Sequence, residues 1–321
     1  MSVESMIIFG GCLLSSLLVY PVLIPFLRKI KYGQSISQYS LDDYKQKAGT
    51  PTMGGIAFII IPIIFIFMIY PKFYLDTKMM MIIMAFVGYG AIGFIDDYII
   101  VIKRDNAGLK AGVKFVMQLA LSIIFYMIYR EESVTTISIP FTSWMIDIGW
   151  LYALLVFVMF TGSSNAVNIT DGMDGLAAGT GIFALIPFVL FAYKAEQPYI
   201  AVFVIGVIAA LLGYLRFNIH PAKIFMGDVG SLALGGLLAS LALVLKQEIA
   251  LIFVGGVFVF ETMCVIIQIA SVKIRKKRVF KYTPIHYSFV INGMNEKKVV
   301  YLFWFLGFIC MMVGLIIGVN I

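Results

Sequence analysis

Residues 93–104 read GFIDDYIIVIKR. The paired acids Asp96 and Asp97 follow Met80–Ile95, a run without a single charge. In hydrocarbon each carboxylate costs roughly 2.5–3.5 kcal/mol on insertion scales. Two side by side therefore require compensation, from a cation, from hydrogen-bond donors or from a ligand. Where the pair sits, and what offsets it, decides how the chain is organised.

The rest of the chain is of the same apolar kind: 61% hydrophobic, 13% charged, with mean hydropathy +1.00, outside the range of a soluble globular domain. About 30 Å of hydrocarbon takes roughly 20 helical residues to cross. Ten segments are candidates: 6–27, 54–71, 78–95, 112–129, 148–163, 176–193, 199–215, 230–245, 249–270 and 299–320. The expected fold is an all-α integral membrane protein of about ten transmembrane helices, a single polytopic domain over 1–321. The opening MSVES has no basic n-region and no A-x-A site follows, so the first span reads as retained rather than as a cleaved signal. Cys12, Cys264 and Cys310 lie inside apolar spans and offer no metal or disulfide spacing.

Net charge is +7, but the distribution argues against nucleic acid. With ten spans, loops after odd-numbered spans share one side. That side holds 19 of the 24 Lys and Arg, all but Lys72, Lys78, Arg130, Lys194 and Lys246. The positive-inside rule then puts the odd loops in the cytoplasm and both termini outside. The Arg275–Arg278 run can anchor that face to anionic membrane lipids, at roughly 1 kcal/mol per basic residue.

The motif-bearing acids fall on the same side: Asp96 and Asp97 after span three, Asp171 and Asp174 after span five, Asp228 after span seven. In SSNAVNITDGMDGLAAG (163–179), Asn165, Asn168 and Asp171 are three apart and share a helical face, with Asp174 next along it. Each Asp-Gly pair alone would read as a turn; the whole row does not. In RFNIHPAKIFMGDVGSLALGG (216–236), Pro221 breaks the chain, Gly227 and Gly230 flank Asp228, and Ser231 opens another helix. A glycine-bounded carboxylate at a helix N-terminus can approach a metal-bound phosphate closely. Mg²⁺ suits such oxygen donors, whereas two histidines in the whole chain, His220 and His286, argue against zinc. No soluble nucleotide-binding motif is present.

TPTMGG (50–55), GFIDDY (93–98), NAVNITDGMDGLA (165–177), NIHPAKIFMGDVGSLALGG (218–236) and FETMCVIIQ (260–268) together resemble the phospho-N-acetylmuramoyl-pentapeptide transferases, within the polyprenyl-phosphate N-acetylhexosamine-1-phosphate transferases. The resemblance implies transfer of phospho-MurNAc-pentapeptide from UDP-MurNAc-pentapeptide to undecaprenyl phosphate, giving lipid I and UMP for peptidoglycan. It implies Mg²⁺ dependence, with Asp228 as metal ligand and Asn218 nearby. Asp96 and Asp97 would face the lipid phosphate or assist the metal, one of them as a base. A phosphate monoester with a pKa of about 6 needs little such help at neutral pH. Lys47, Thr52, Asn165, Asn168, Asp171 and Asp174 would line the nucleotide-sugar site, with Phe225 against uracil and Gln268 and His286 nearby. Uridine-containing nucleoside inhibitors and a homodimer are also implied.

The last loop departs from that family, whose pattern is P-x-H-H-H-x-E: here PIHYSFV (284–290) keeps His286 but has Tyr287, Ser288 and Val290. Ile100 and Gly112 stand where lysines are common. A UDP-N-acetylglucosamine-1-phosphate transferase is therefore the alternative, and a transporter a more distant one. Glu261, mid-span and seven residues from Gln268, lines the site or bonds another helix.

Overall fold

A computed structural model describes residues 2–30, 49–103 and 108–321, apart from the side chain of Glu132. The chain forms α1 (Val3–Lys29), α2 (Gly55–Ile69), a 3₁₀ turn (Phe73–Leu75), α3 (Thr77–Lys103) and α4 (Ala111–Glu132). A hairpin follows, β1 (Thr136–Ser138) and β2 (Met145–Asp147), then α5 (Leu151–Thr170), α6 (Leu176–Lys194), α7 (Pro198–Asn218) and α8 (Gly227–Val244). The remainder is α9 (Glu248–Val254), α10 (Gly256–Arg275), α11 (Ile285–Ile291) and α12 (Glu296–Val319). Among the described residues nine helices are long and apolar enough to cross a membrane, and α2 is a shorter apolar helix. The all-α membrane fold expected from composition is what the chain adopts.

Several boundaries differ from expectation, three of them with consequences for the packing or the site. Segment 249–270 is not one helix: it divides at Gly255 into α9 and α10. Gly256 lets the second piece press against α12, since a Cβ there would lie 2.7 Å from Cys310 Sγ. The eighth span starts at Gly227 rather than Ser231, so Asp228 belongs to its first turn. The third runs on to Lys103, so the aspartate pair lies inside α3 instead of after it. The hairpin was not expected; it pairs Thr136 with Asp147 and Ser138 with Met145.

Helix α8 is buried along its length and α7 nearly so, whereas most residues of α1, α4, α10 and α12 are half-buried or exposed. An all-round apolar helix is stable in the middle of a bundle or in contact with lipid. The core is thus α8 enclosed by α3, α5 and α2. Small residues permit that closeness, because helices in lipid associate through packing rather than hydrophobic exclusion. Gly93 is the tightest glycine approach to α8: a Cβ would sit 2.1 Å from the Asp228 carbonyl oxygen. Backbone cannot give way as a side chain can. Gly93→Ala is expected to lower the thermal midpoint in detergent and the folded yield, consistent with an overpacking cost of about 1–3 kcal/mol. Gly112→Ala, with nothing within 4 Å, should leave both unchanged; equal behaviour of the two variants would contradict this packing account.

Candidate active site

The membrane-embedded ends of α3, α4, α5 and α8 bring one carboxylate group together. Asp96 and Asp97 occupy the last turns of α3 and are buried. Asp96 Oδ1 accepts the Leu109 N–H at 2.6 Å, and Asp97 Oδ2 accepts the Val229 N–H at 3.2 Å. Asp228, in the first turn of α8, accepts Asn168 Nδ2 at 2.7 Å on Oδ1 and faces Lys114 Nζ at 2.5 Å on Oδ2. The Lys114 ammonium also lies 3.6 Å from Asp96 Oδ2, so it bridges two of the three acids. Asn168 holds Ser231 Oγ at 2.9 Å as well, tying α5 to α8.

Lys114 was not among the expected site residues. In the sequence it is one of the basic residues on the cytoplasmic side and the lysine that remains in GLKAGVK. The signal was there: a lysine in the first turn of an otherwise apolar helix, GLKAGVK, is costly unless an acid meets it. Its partners lie far away in sequence, and periodicity does not report such contacts.

The segment 50–55 forms the next wall. Phe225 N–H donates to Pro51 O at 2.8 Å, Gly54 N–H to Phe225 O at 2.8 Å and Gly55 N–H to Met226 O at 3.0 Å. This seats buried Thr52 and half-buried Phe225 beside the acids. Gly227 has φ +71°, a left-handed conformation suited to glycine. A Cβ there would meet Asp97 Oδ2 at 2.3 Å and Thr52 Oγ1 at 2.6 Å. Lys47 lies outside the described residues.

The acid row after α5 is only partly a helical face. Asn165 and Asn168 are in α5, Asp171 caps its end, and Asp174 lies beyond, in the turn closed by Gly175 at φ +80°. Asn165 Nδ2 donates to Thr161 O at 2.7 Å and to Gln118 Oε1 at 3.4 Å, away from the acid centre. Asp174 Oδ2 accepts the Ala222 N–H at 3.0 Å and faces His220 Nδ1 at 3.0 Å. Asn218 is buried between two loops, accepting the Gly175 N–H at 3.0 Å and donating to Ile224 O at 2.9 Å. The turn and the 218–224 segment are therefore one braced unit.

Gln268 and Glu261 do share a face of α10, and both serve the last loop. Gln268 Oε1 accepts the N–H groups of Val279 and Phe280, each at 3.0 Å, and its Nε2 donates to Phe280 O at 3.0 Å. Glu261 accepts the Ile285 N–H at 2.9 Å and faces His286 Nδ1 at 3.0 Å. His286 is fully buried.

Hard oxygen donors at helix ends, with an ammonium seated between two of them, mark a place where positive charge is required. That donor set fits Mg²⁺, which takes carboxylate and phosphate oxygens, and it lacks the nitrogen and sulfur ligands of a zinc site. The fold and this centre together define a membrane-embedded transferase of phosphorylated groups. Residues 79–246 match the family described as Glycosyl transferase family 4, and 47–59 match Phospho-N-acetylmuramoyl-pentapeptide-transferase signature 1.

A phospho-N-acetylmuramoyl-pentapeptide-transferase of Geobacillus kaustophilus is 44% identical over 308 residues, 95% of each chain. That of Bacillus thuringiensis is 45% identical over 312 residues, 97% of this chain and 96% of its own. The Halalkalibacterium halodurans protein of the same name is 44% identical over 308 residues, covering 95% of each. The chain belongs to the phospho-N-acetylmuramoyl-pentapeptide-transferase family, transferases of the multi-pass bacterial membrane class.

Proposed function

We propose that the protein moves phospho-MurNAc-pentapeptide from UDP-MurNAc-pentapeptide onto undecaprenyl phosphate, releasing UMP and forming lipid I, at the cytoplasmic face. The observation that carries this reading is the meeting of Asp96 and Asp228 on Lys114, with Asp97 beside them on the Val229 amide, at the ends of apolar helices. A lipid phosphate reaches such a place from the bilayer, and a nucleotide reaches it from the aqueous side. The excess of Lys and Arg on the odd-numbered loops supports the cytoplasmic assignment, with both termini outside as its corollary.

Asp228, assisted by Asp96 or Asp97, would hold Mg²⁺, which when bound supplies neutralising charge to the pyrophosphate and the leaving UMP. Lys114 and Asn168 fix the Asp228 carboxylate between them. Asp97 is locked by the α8 backbone and Asp96 by the Leu109 amide, so the two carboxylates keep their spacing without help from the ligand. Such preorganisation is most of what an enzyme contributes to phosphoryl-type transfer. Phe225 and Thr52 would meet the nucleotide on one side, and the Asp171–Gly175 turn on the other. Inhibition by uridine-containing nucleosides and a homodimer are part of the same reading, and both rest on the family resemblance.

UMP release by purified protein with undecaprenyl phosphate tests the reading. UDP-MurNAc-pentapeptide is expected to turn over at least about a hundredfold faster than UDP-N-acetylglucosamine, a discrimination of about 3 kcal/mol. EDTA should abolish turnover and excess Mg²⁺ restore it. Preference for the acetylglucosamine donor would move the protein to the sister reaction and make PIHYSFV its specificity element.

A further inference from the structure

The departure in the last loop has a structural counterpart. Tyr287, which stands within the family's histidine run, donates its hydroxyl to Gly172 O at 2.9 Å, on the turn between α5 and α6. The same turn is held from α12 by the Glu296 carboxylate, which accepts the Asp174 N–H at 3.0 Å, and by Trp304 Nε1, which donates to Gly175 O at 3.1 Å. The loop carrying Tyr287 is itself anchored inside the protein, because Glu261 takes both the Ile285 amide and His286 Nδ1.

The fit leaves no slack. A Cβ on Gly172 would lie 2.5 Å from His286 Nε2 and 2.9 Å from Tyr287 Oη. Burial, and after it the negative charge of Glu296, raises the Tyr287 phenol well above its ordinary value. The hydroxyl therefore remains a donor throughout the working pH range. Loop and turn are thus two surfaces in direct contact, and the turn carries Asp171 at the end of α5.

We propose that Tyr287 is a positioning residue of the transfer reaction: its hydrogen bond to Gly172, on a loop seated by Glu261 and His286, fixes the turn that presents Asp171 to the nucleotide-sugar donor. This rests on the donor site described under the proposed function. It puts a neutral phenol to use where the family pattern has a histidine, and it makes the loop act on donor binding rather than on the acid centre.

Steady-state kinetics of the full-length protein would decide it. Tyr287→Phe removes the hydrogen bond to Gly172 O and little volume. The donor KM is expected to rise roughly threefold to tenfold, the effect of one such bond. The acceptor KM, kcat and thermal midpoint should stay within about twofold or a degree of wild type. Tyr287→His, which restores a donor, should bring the donor KM back part of the way, and Gly172→Ala should raise it further than Tyr287→Phe does. An unchanged donor KM in Tyr287→Phe would overturn the proposal. So would a parallel loss of both KM values and the thermal midpoint, which would reduce Tyr287 to a brace. If wild type uses UDP-N-acetylglucosamine instead, the functional reading fails while the same comparison, run with that donor, still decides the role of Tyr287. Wild-type inactivity with both donors would overturn both.

Discussion

Asp228→Asn is expected to reduce UMP release at least about a thousandfold while leaving the fold intact. The substitution keeps the shape of the side chain and removes its charge. The amide oxygen can still accept from Asn168 or Lys114, so the contacts that join α4, α5 and α8 have a replacement. What is lost is the carboxylate at the N-terminal turn of α8, the group best placed to hold a divalent cation against a phosphate. Removing that electrostatic stabilisation costs about 4 kcal/mol at this magnitude, since each tenfold in rate is about 1.36 kcal/mol. Asp96→Asn should cost less, roughly tenfold to a hundredfold, because one Asp96 oxygen is already given to the Leu109 amide and the other lies farther from Lys114. Activity and thermal midpoint measured on the same preparations separate chemistry from folding. A folded Asp228→Asn enzyme retaining more than about a tenth of wild-type turnover would make Asp228 a structural brace and require another ligand set.

Much of this centre was legible in the sequence, and the illegible part has a common cause. Apolar run lengths located nine of the ten segments as single helices, since span length is set by the bilayer and not by tertiary detail; 249–270, which divides at Gly255, is the exception. The three acid clusters stood out because charge in such segments is costly. What periodicity could not supply was the partner of each charge. Asp97 is stabilised by the amide of Val229, 132 residues away, and Asp228 by Lys114, 114 residues away. Without those partners the aspartate pair reads as the end of a helix, and with them the helix continues to Lys103. The DGMDG row misled in the opposite way. A spacing of three predicted one continuous face, but Gly172 and Gly175 turn the chain and send Asp174 toward His220, away from Asn168. Gln268 and Glu261 were correctly placed on one face of α10, yet whether that face met a ligand, a helix or a loop depended on the path of residues 276–288.

Lys114→Gln should separate the two meanings of a cation among acids. The Lys114 ammonium offsets Asp228 at 2.5 Å and Asp96 at 3.6 Å, and its side chain is 18% exposed. Taking it away leaves three carboxylates facing one another, and breaking a buried pair in this manner costs about 3–5 kcal/mol, less where water reaches the site. The metal-free variant is therefore expected to melt several degrees below wild type. Added Mg²⁺ should then stabilise the variant more than wild type, since a ligand stabilises according to its affinity for the folded state and the competing ammonium is gone. Turnover should nonetheless fall about a hundredfold at saturating Mg²⁺, because a fixed positive charge beside the reacting phosphates stabilises charge that moves in the transition state. Lys114→Arg, which keeps the charge on a longer and planar group, should recover the metal-free melting point but little of the rate. Melting curves with and without Mg²⁺, alongside UMP release, read all of this. Equal Mg²⁺ stabilisation of Lys114→Gln and wild type would show that the metal does not share the Lys114 site. Undiminished turnover in Lys114→Gln would show that its charge serves the resting protein alone.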